Sequence, residues 1–153
     1  MSLILDIADA VVAELAAGVE ADAFSIPFTP ARKVLPLYEL ADLAELHVTV
    51  MPKAVLAAAA TRASRQYDVT IDVGVQQKLT GDLDDEIVVL LDLVEELSDF
   101  LARRPLADAA HARWVSSAND PVYAPEHLLD HRSFTSVLTL TYRAVGSGEV
   151  GGT

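Results

Sequence analysis

The sequence predicts an α+β fold: a mostly antiparallel sheet of about four to five strands with two main helices packed on one face, in the order α-β-β-β-α-β. Three observations indicate this class. Two stretches repeat apolar residues at helical spacing, three others alternate apolar and polar residues, and no long helical crossover separates consecutive alternating stretches. We therefore expect a single α+β domain over residues 1–145 and a disordered C-terminal tail at residues 146–153.

The first element is predicted to be a helix from about Leu3 to Ala17, with Gly18 as its natural stop. Its apolar residues share one face, and they are Ile4, Ile7, Ala8, Val11 and Leu15. The next segment, FSIPFTPARKVLPLYEL, contains three prolines, which cannot donate hydrogen bonds to a sheet. This segment is therefore predicted to be extended or to form an edge strand.

Three short segments follow. ELADLAEL (residues 39–46) is predicted to form a short helical turn, and LHVTVMP (46–52) a strand that stops at Pro52. KAVLAAAATRAS (53–64) suits two structures, because its alanines favour a helix while its position fits a loop that enters the next strand. The sequence leaves this choice open.

The longest alternating stretch, QYDVTIDVGVQQ (residues 66–77), predicts a strand from Arg65 to Leu79. Such a strand is more than twice the usual length of roughly 5–6 residues. Its apolar side chains should lie under the helices, and they are Tyr67, Val69, Ile71, Val73 and Val75. Their expected helix partners are Leu90, Val94 and Leu97.

The clearest helix is predicted from about Leu83 to Arg103 and ends before Pro105. Acidic residues at its start and arginines at its end both suit the helix dipole. Residues 111–133 are poorly periodic and yield no predicted element. FTSVLTLTYRAV (134–145) predicts the last strand. One face of this strand consists of Phe134, Ser136, Leu138, Leu140 and Tyr142.

The composition is strongly acidic, because 11 Lys and Arg stand against 23 Asp and Glu and give a formal net charge of −12. Nucleic-acid binding needs clustered basic residues, so we expect neither a DNA nor an RNA reader. The absence of cysteine excludes disulfides, thiolate zinc sites and thiol catalysis. No basic signal-peptide region and no apolar run of roughly 18 residues is present, which predicts a soluble protein without a membrane partner.

The polar row of the long strand, Asp68, Thr70 and Asp72, is predicted to face away from the core. Together with Gly74 it superficially matches a calcium-binding loop. The glycine comes one position too late, and no acidic residue occupies the closing position of such a loop. The uninterrupted alternation favours a strand, whose polar face then meets water or another molecule.

Two further combinations of residues suggest chemistry. His127 and His131 have the spacing of two zinc ligands on a helix, but the glutamate of the zincin pattern is missing after the first histidine. A triad could be written from Ser116, Ser117, His111 and Asp120, but no nucleophile elbow accompanies them. The sequence therefore predicts no enzyme: no catalytic residue, no metal site and no cofactor.

The segment NDPVYAP (residues 119–125) is a candidate protein-docking loop. Asn and Asp bond their own backbone and Pro fixes φ, which predicts a turn. Two apolar residues lie between the turn-forming residues, and they either pack onto the core or bind another protein. The candidate loop consists of Asn119, Asp120, Pro121, Val122 and Tyr123.

Five of these segments carry a family resemblance: the N-terminal amphipathic helix, YDVTIDVGVQQKL, LDDEIVVLLDLVEELSDFL, WVSSANDPVYAPEHL and FTSVLTLTYR. In length and element order they resemble, over roughly Leu3 to Arg143, the tail terminators of long-tailed phages and prophages, which are small tail-completion (minor tail) proteins. The resemblance implies an α+β subunit that forms a ring, typically a hexamer, on the head-proximal end of the tail tube. Such rings stop tube growth and present a surface to the connector of the head.

The resemblance also implies partners and a location. The partners are further copies of the chain, the tail tube protein and a head-completion or connector protein. The location is the tail–neck junction of the virion, after assembly in the host cytoplasm. DNA would pass through the ring without specific binding, because subunits of net charge −12 repel phosphates. Asp68, Thr70 and Asp72 then become candidates for a lumen or inter-subunit face.

Other functions stay open at this point. A head-closure protein or another neck or minor tail protein of similar size is one alternative. A small acidic enzyme or ligand-binding domain is a second, which a convergent pocket with perturbed titratable groups would favour. A host-encoded adaptor that binds other proteins is a third.

Overall fold

The computed structural model describes residues 2–34, 45–62, 64–81, 83–120, 122–126 and 132–147. These residues form two α-helices, α1 (Leu3–Glu20) and α2 (Leu83–Leu101). They also form five strands: β1 (Pro30–Arg32), β2 (His47–Ala59), β3 (Ser64–Lys78), β4 (Ala112–Asn119) and β5 (Ser133–Ser147). The strands lie in one sheet in the order β1-β2-β3-β5-β4; β1 runs parallel to β2, and the other neighbours are antiparallel. The predicted α+β class is confirmed.

The hydrophobic core lies between the two helices and one face of the sheet. Strand β3 buries four members of its predicted apolar set completely: Val69, Ile71, Val73 and Val75. The predicted helix partners belong to the same cluster, with Tyr67 packed at its margin. On β5, all five residues of the predicted face are buried. Period-two alternation therefore predicted correctly which side of these strands meets the helices.

Strand β2 differs most from its prediction. The expected stop at Pro52 is wrong, and the next residues form neither a helix nor an entry loop, because β2 continues to Ala59. Its register shifts between Pro52 and Ala54. Proline is tolerated at irregularities and on sheet edges. Strand β1 pairs with β2 at Val48–Val50, and no described strand covers that edge further along.

Strand β4 was not predicted from the sequence. It pairs with β5 at the edge of the sheet, and its segment ARWVSSAN exposes residues on both faces. An edge strand of this kind has little apolar surface to bury, so it lacks the alternation that marks β3 and β5. The poorly periodic stretch therefore contained a strand.

Gly18 does not end the first helix, which continues to Glu20. Its role is packing. A Cβ at this position would lie 2.7 Å from a ring carbon of Phe24 and 2.8 Å from one of Phe100. Both distances are shorter than real Cβ contacts, so glycine allows the two rings to approach the helix backbone.

The remaining boundaries are close to prediction. Helix α2 ends at Leu101, and Arg103 after it has a φ of 60°. Strand β5 includes Gly146 and Ser147, two residues beyond the predicted domain limit. Residues 148–153 lie outside the described residues, as does the predicted turn ELADLAEL except for its last two residues.

Candidate functional site

The outer face of the sheet, which carries Asp68, Thr70 and Asp72, points away from the helices. All three side chains are partly exposed, whereas their neighbours Val69 and Ile71 are buried. The predicted orientation of this row is therefore confirmed. The row lies on the central part of β3, between β2 and β5.

Asp68 forms a bidentate ion pair with Arg143, its direct cross-strand partner on β5. Arg143 donates from Nε to Oδ1 at 2.9 Å and from Nη2 to Oδ2 at 3.3 Å. These hydrogen bonds and the positive charge of Arg143 lower the pKa of the Asp68 carboxyl, against a smaller opposing effect of desolvation. The same contacts raise the pKa of the Arg143 guanidinium.

Asp72 has a different environment four residues along the strand. The Thr139 hydroxyl donates to its Oδ1 at 2.6 Å, and Lys53 Nζ lies 3.8 Å from the same oxygen. Lys53 sits at the register shift of β2, next to Pro52. Asp68 and Asp72 therefore each lie near a cationic side chain from a neighbouring strand. This makes the electrostatic potential at the row of Asp68, Thr70 and Asp72, the outer row, less negative.

We expect the Asp68 carboxyl to titrate below its ordinary pKa of 3.8. Because the folded-state pKa is lowered, the ion pair stabilises the fold above that pH, and the contribution is lost as the pH falls through the folded-state pKa. An NMR titration of the side-chain carboxyl carbon measures the midpoint. In the variant Arg143→Gln the midpoint should return towards 3.8; equal midpoints in both proteins would contradict the assignment of the shift to Arg143.

The candidate docking loop is held against β5 at both ends. The Asn119 side chain donates from Nδ2 to Ser136 Oγ at 2.9 Å and to the Val137 carbonyl at 2.8 Å. The backbone N–H groups of Asp120 and Ala124 also donate to β5 carbonyls, each at 3.0 Å. Between these anchors the loop exposes two apolar side chains, Val122 and Tyr123. Pro121 lies outside the described residues.

The residues of the calcium-like motif and of the candidate triad lie on strands β3 and β4 or directly beside β4. The residues of the calcium-like motif are paired within the sheet on both sides, so they form a strand rather than a loop. In the candidate triad, Ser117 Oγ accepts a hydrogen bond from Trp114 Nε1 at 2.9 Å. His127, His131 and the residues between them lie outside the described ranges.

One buried polar group belongs to the core rather than to the outer face. The Tyr142 hydroxyl is enclosed, with no hydrogen-bond partner among the described residues. Burial, with a smaller effect of the Glu14 charge, raises the pKa of this phenol. Tyr142 is therefore neutral across the physiological range, as its place beneath the helices requires.

An exposed arm lies at one end of the sheet and was not predicted from the sequence. We define the arm as residues 53–62 and 64–66, which include the distal half of β2 and the first residues of β3. Every β2 residue from Lys53 onwards is exposed in the arm, and Leu56 is 68% exposed. Val145 of β5 lies opposite Gln66 and is also exposed. A run of alanines carries no period, so no sequence pattern indicated this arm.

A second apolar surface lies at the start of α2. A shallow groove there, the α2 groove, is lined by Gln77, Leu79, Asp85, Glu86, Val89 and Leu90. Glu86 accepts hydrogen bonds from the backbone N–H groups of Thr80 and Gly81, which fixes the entry into the helix. Val88 and Val89 are 57% and 45% exposed. Exposed apolar side chains and carboxylates therefore lie side by side at the start of α2.

No protein-family model matches the chain, and a search of the curated proteins finds no match. No three His, Asp or Glu residues within the described ranges are arranged to hold a metal ion. None of the described helices is both long enough and apolar enough to cross a membrane. The functional interpretation therefore rests on the sequence and geometry of this chain itself.

Proposed function

We propose that this chain is a structural protein of a phage virion: a ring-forming tail terminator that caps the head-proximal end of the tail tube and joins it to the head connector. Two features support the proposal. The sequence resembles this family in length and element order, and the fold carries surfaces that suit assembly better than catalysis. In this function the outer face and the Asn119–Tyr123 loop contact neighbours in the particle.

The observation that carries the proposal is that the arm, the overhang of the sheet, extends beyond the helices. Helix α2 has 19 residues and is about 28 Å long at 1.5 Å per residue. Strand β3 has 15 residues and spans about 50 Å at 3.3 Å per residue. The sheet therefore extends well beyond the helices that cover it, and the apolar side chains at its end stay exposed in an isolated subunit. A subunit that contacts a neighbour through the overhang gains buried surface.

Electrostatics also suits a ring around a DNA path. Each subunit carries a formal net charge of −12, so a hexamer would repel the phosphates of a passing genome. Because the carboxylates of Asp68 and Asp72 have cationic neighbours, this repulsion comes from the subunit as a whole. The outer row itself offers alternating charges, which also suit contact with a neighbouring subunit.

We expect no strong DNA binding. The basic residues are few. The directly adjacent pairs are Arg32–Lys33 and Arg103–Arg104, and in these pairs Arg32 and Arg104 form ion pairs with Asp9 and Glu14. A mobility-shift assay at physiological salt should detect no complex at micromolar protein. A salt-sensitive affinity below micromolar would contradict a repulsive lumen.

The proposal is tested by comparing the free protein with the particle. Light scattering on dilute protein should give a monomer or a weak oligomer, and microscopy of tails should find a closed ring. A tight dimer retained in the particle would contradict the ring. The neighbouring genes offer a simpler check: capsid and portal genes on one side and tube and tape-measure genes on the other are expected for a tail terminator, and not for a host adaptor.

A further inference from the structure

The arm differs in charge from the rest of the molecule. Its charged residues are Lys53, Arg62 and Arg65, and none is acidic. These three leave eight basic residues against 23 acidic ones in the remainder of the chain. Lys53 is near Asp72, whereas Arg62 and Arg65 lie at the end of the arm next to the exposed alanines. The arm thus combines exposed apolar side chains with positive charge in a strongly negative protein.

The α2 groove has the complementary chemistry. Exposed Val89 supplies apolar surface in the groove, with Val88 next to it on the helix, and Asp85 and Glu86 of the first turn line the groove beside Asp84. Strand β3 begins in the arm at Ser64 and ends at Lys78, just before α2 starts. The arm and the α2 groove therefore lie at opposite ends of the same strand, about 50 Å apart at the rise of an extended chain. One subunit can use both surfaces at once.

We propose that the arm of one copy of this chain seats on the α2 groove of the next copy. This inference deepens the proposed function and rests on it, because it names the contact that would join subunits in the ring. The occupant is a second copy because both surfaces belong to this chain and match in apolar character and in charge. A contact between two different surfaces is heterologous, and it generates a ring when the rotation between successive copies closes.

Two other ways of covering the arm are less favourable. Pairing of two arms would join two segments whose charged residues are all basic, with no carboxylate of the arm to compensate them. Pairing of the arm with the free edge of β4 would meet Arg113, the charged residue of that strand. The α2 groove offers exposed apolar surface together with carboxylates.

Disulfide trapping tests this contact, because the natural chain contains no cysteine. Leu56→Cys labels the arm, Val89→Cys labels the α2 groove, and Val115→Cys on β4 is the matched control; all three residues are exposed. The variants are mixed in pairs under mild oxidation after circular dichroism has established that each is folded. The arm–groove pair should yield about tenfold more mixed disulfide than either the arm homodimer or the arm–β4 pair, corresponding to a modest preference between surfaces.

Charge reversal provides the second readout. Arg62→Glu with Arg65→Glu in the arm-labelled chain should return the arm–groove yield to that of the control pair, and Asp84→Lys with Asp85→Lys in the groove-labelled chain should restore it. Arg113→Glu should leave the yield unchanged. Excess arm homodimer, excess arm–β4 product, or no mixed product above control would each overturn the proposal.

The result of the disulfide experiment can be distinguished from the result of a test of the proposed function. If the disulfide fails to form but the chain still caps tails, the terminator function stands and the subunits use another contact. If the disulfide forms but the chain is absent from virions, the self-contact stands and the terminator function fails.

Discussion

Replacing Ile71 by aspartate is expected to unfold the monomer. Ile71 lies in the centre of β3, fully buried, between Pro52 on β2 and Leu140 on β5. Burial of such a side chain contributes about 1.5–3 kcal/mol, and an unpaired carboxylate in its place costs several kcal/mol more. Together these effects approach the net stability of about 5–15 kcal/mol typical of a domain.

Thr70→Asp is the matched control for this experiment. Thr70 is the preceding residue on the same strand, but it belongs to the partly exposed outer row. The same new carboxylate should therefore leave the protein folded. Thermal unfolding followed by circular dichroism compares the two variants. If Ile71→Asp unfolds cooperatively at a temperature within a few degrees of that of the wild type, the core face of β3 has been assigned to the wrong side.

The double variant Asp68→Lys with Asp72→Lys is expected to fold and to impair tail joining or genome passage. The substitutions break the ion pair with Arg143 and place positive charge beside Lys53. Because these groups are partly exposed, solvent screens the repulsion and the loss of stability should be small. The change in the particle should be large, because the outer face would become strongly positive along a DNA path or a subunit contact.

Asp92→Lys with Asp99→Lys is the control for net charge. Both residues are exposed on α2, so this variant makes the same change of charge away from the outer face. Complementation of a strain lacking the gene measures infectious particles for each variant. If the outer-face variant is folded and yields as many infectious particles as the wild type, the outer row is only solvated, and its predicted function is wrong.

The elements predicted most accurately are those that bury one face. Strand β3 and helix α2 were placed almost to the residue at their start, because burial enforces a period of 2.0 or 3.6 on the sequence. Strand β4 and the distal half of β2 were missed, because edge strands with exposed sides experience no such constraint. The strand end predicted at Pro52 was wrong, because proline is tolerated within a strand at an irregular sheet edge.

The candidate site could be predicted only in part. Alternation fixed the outward direction of Asp68, Thr70 and Asp72. It could not identify Arg143 as the partner of Asp68, because the two are 75 residues apart in sequence and meet only through the register of β3 with β5. The arm was not predicted for a related reason. Its alanines are exposed because the helices do not reach that end of the sheet, and the sequence of the arm itself does not indicate how far the helices extend.

The most direct test of the terminator function is electron microscopy of tails assembled with and without this chain. With the chain carrying a gold-labelled tag, label should appear at one end of each tube, at the junction with the head. In its absence, tubes should lose their defined length and fail to join heads. Label distributed along the tube, or tubes of normal length that join heads without the chain, would contradict the assignment of this protein as the tail terminator.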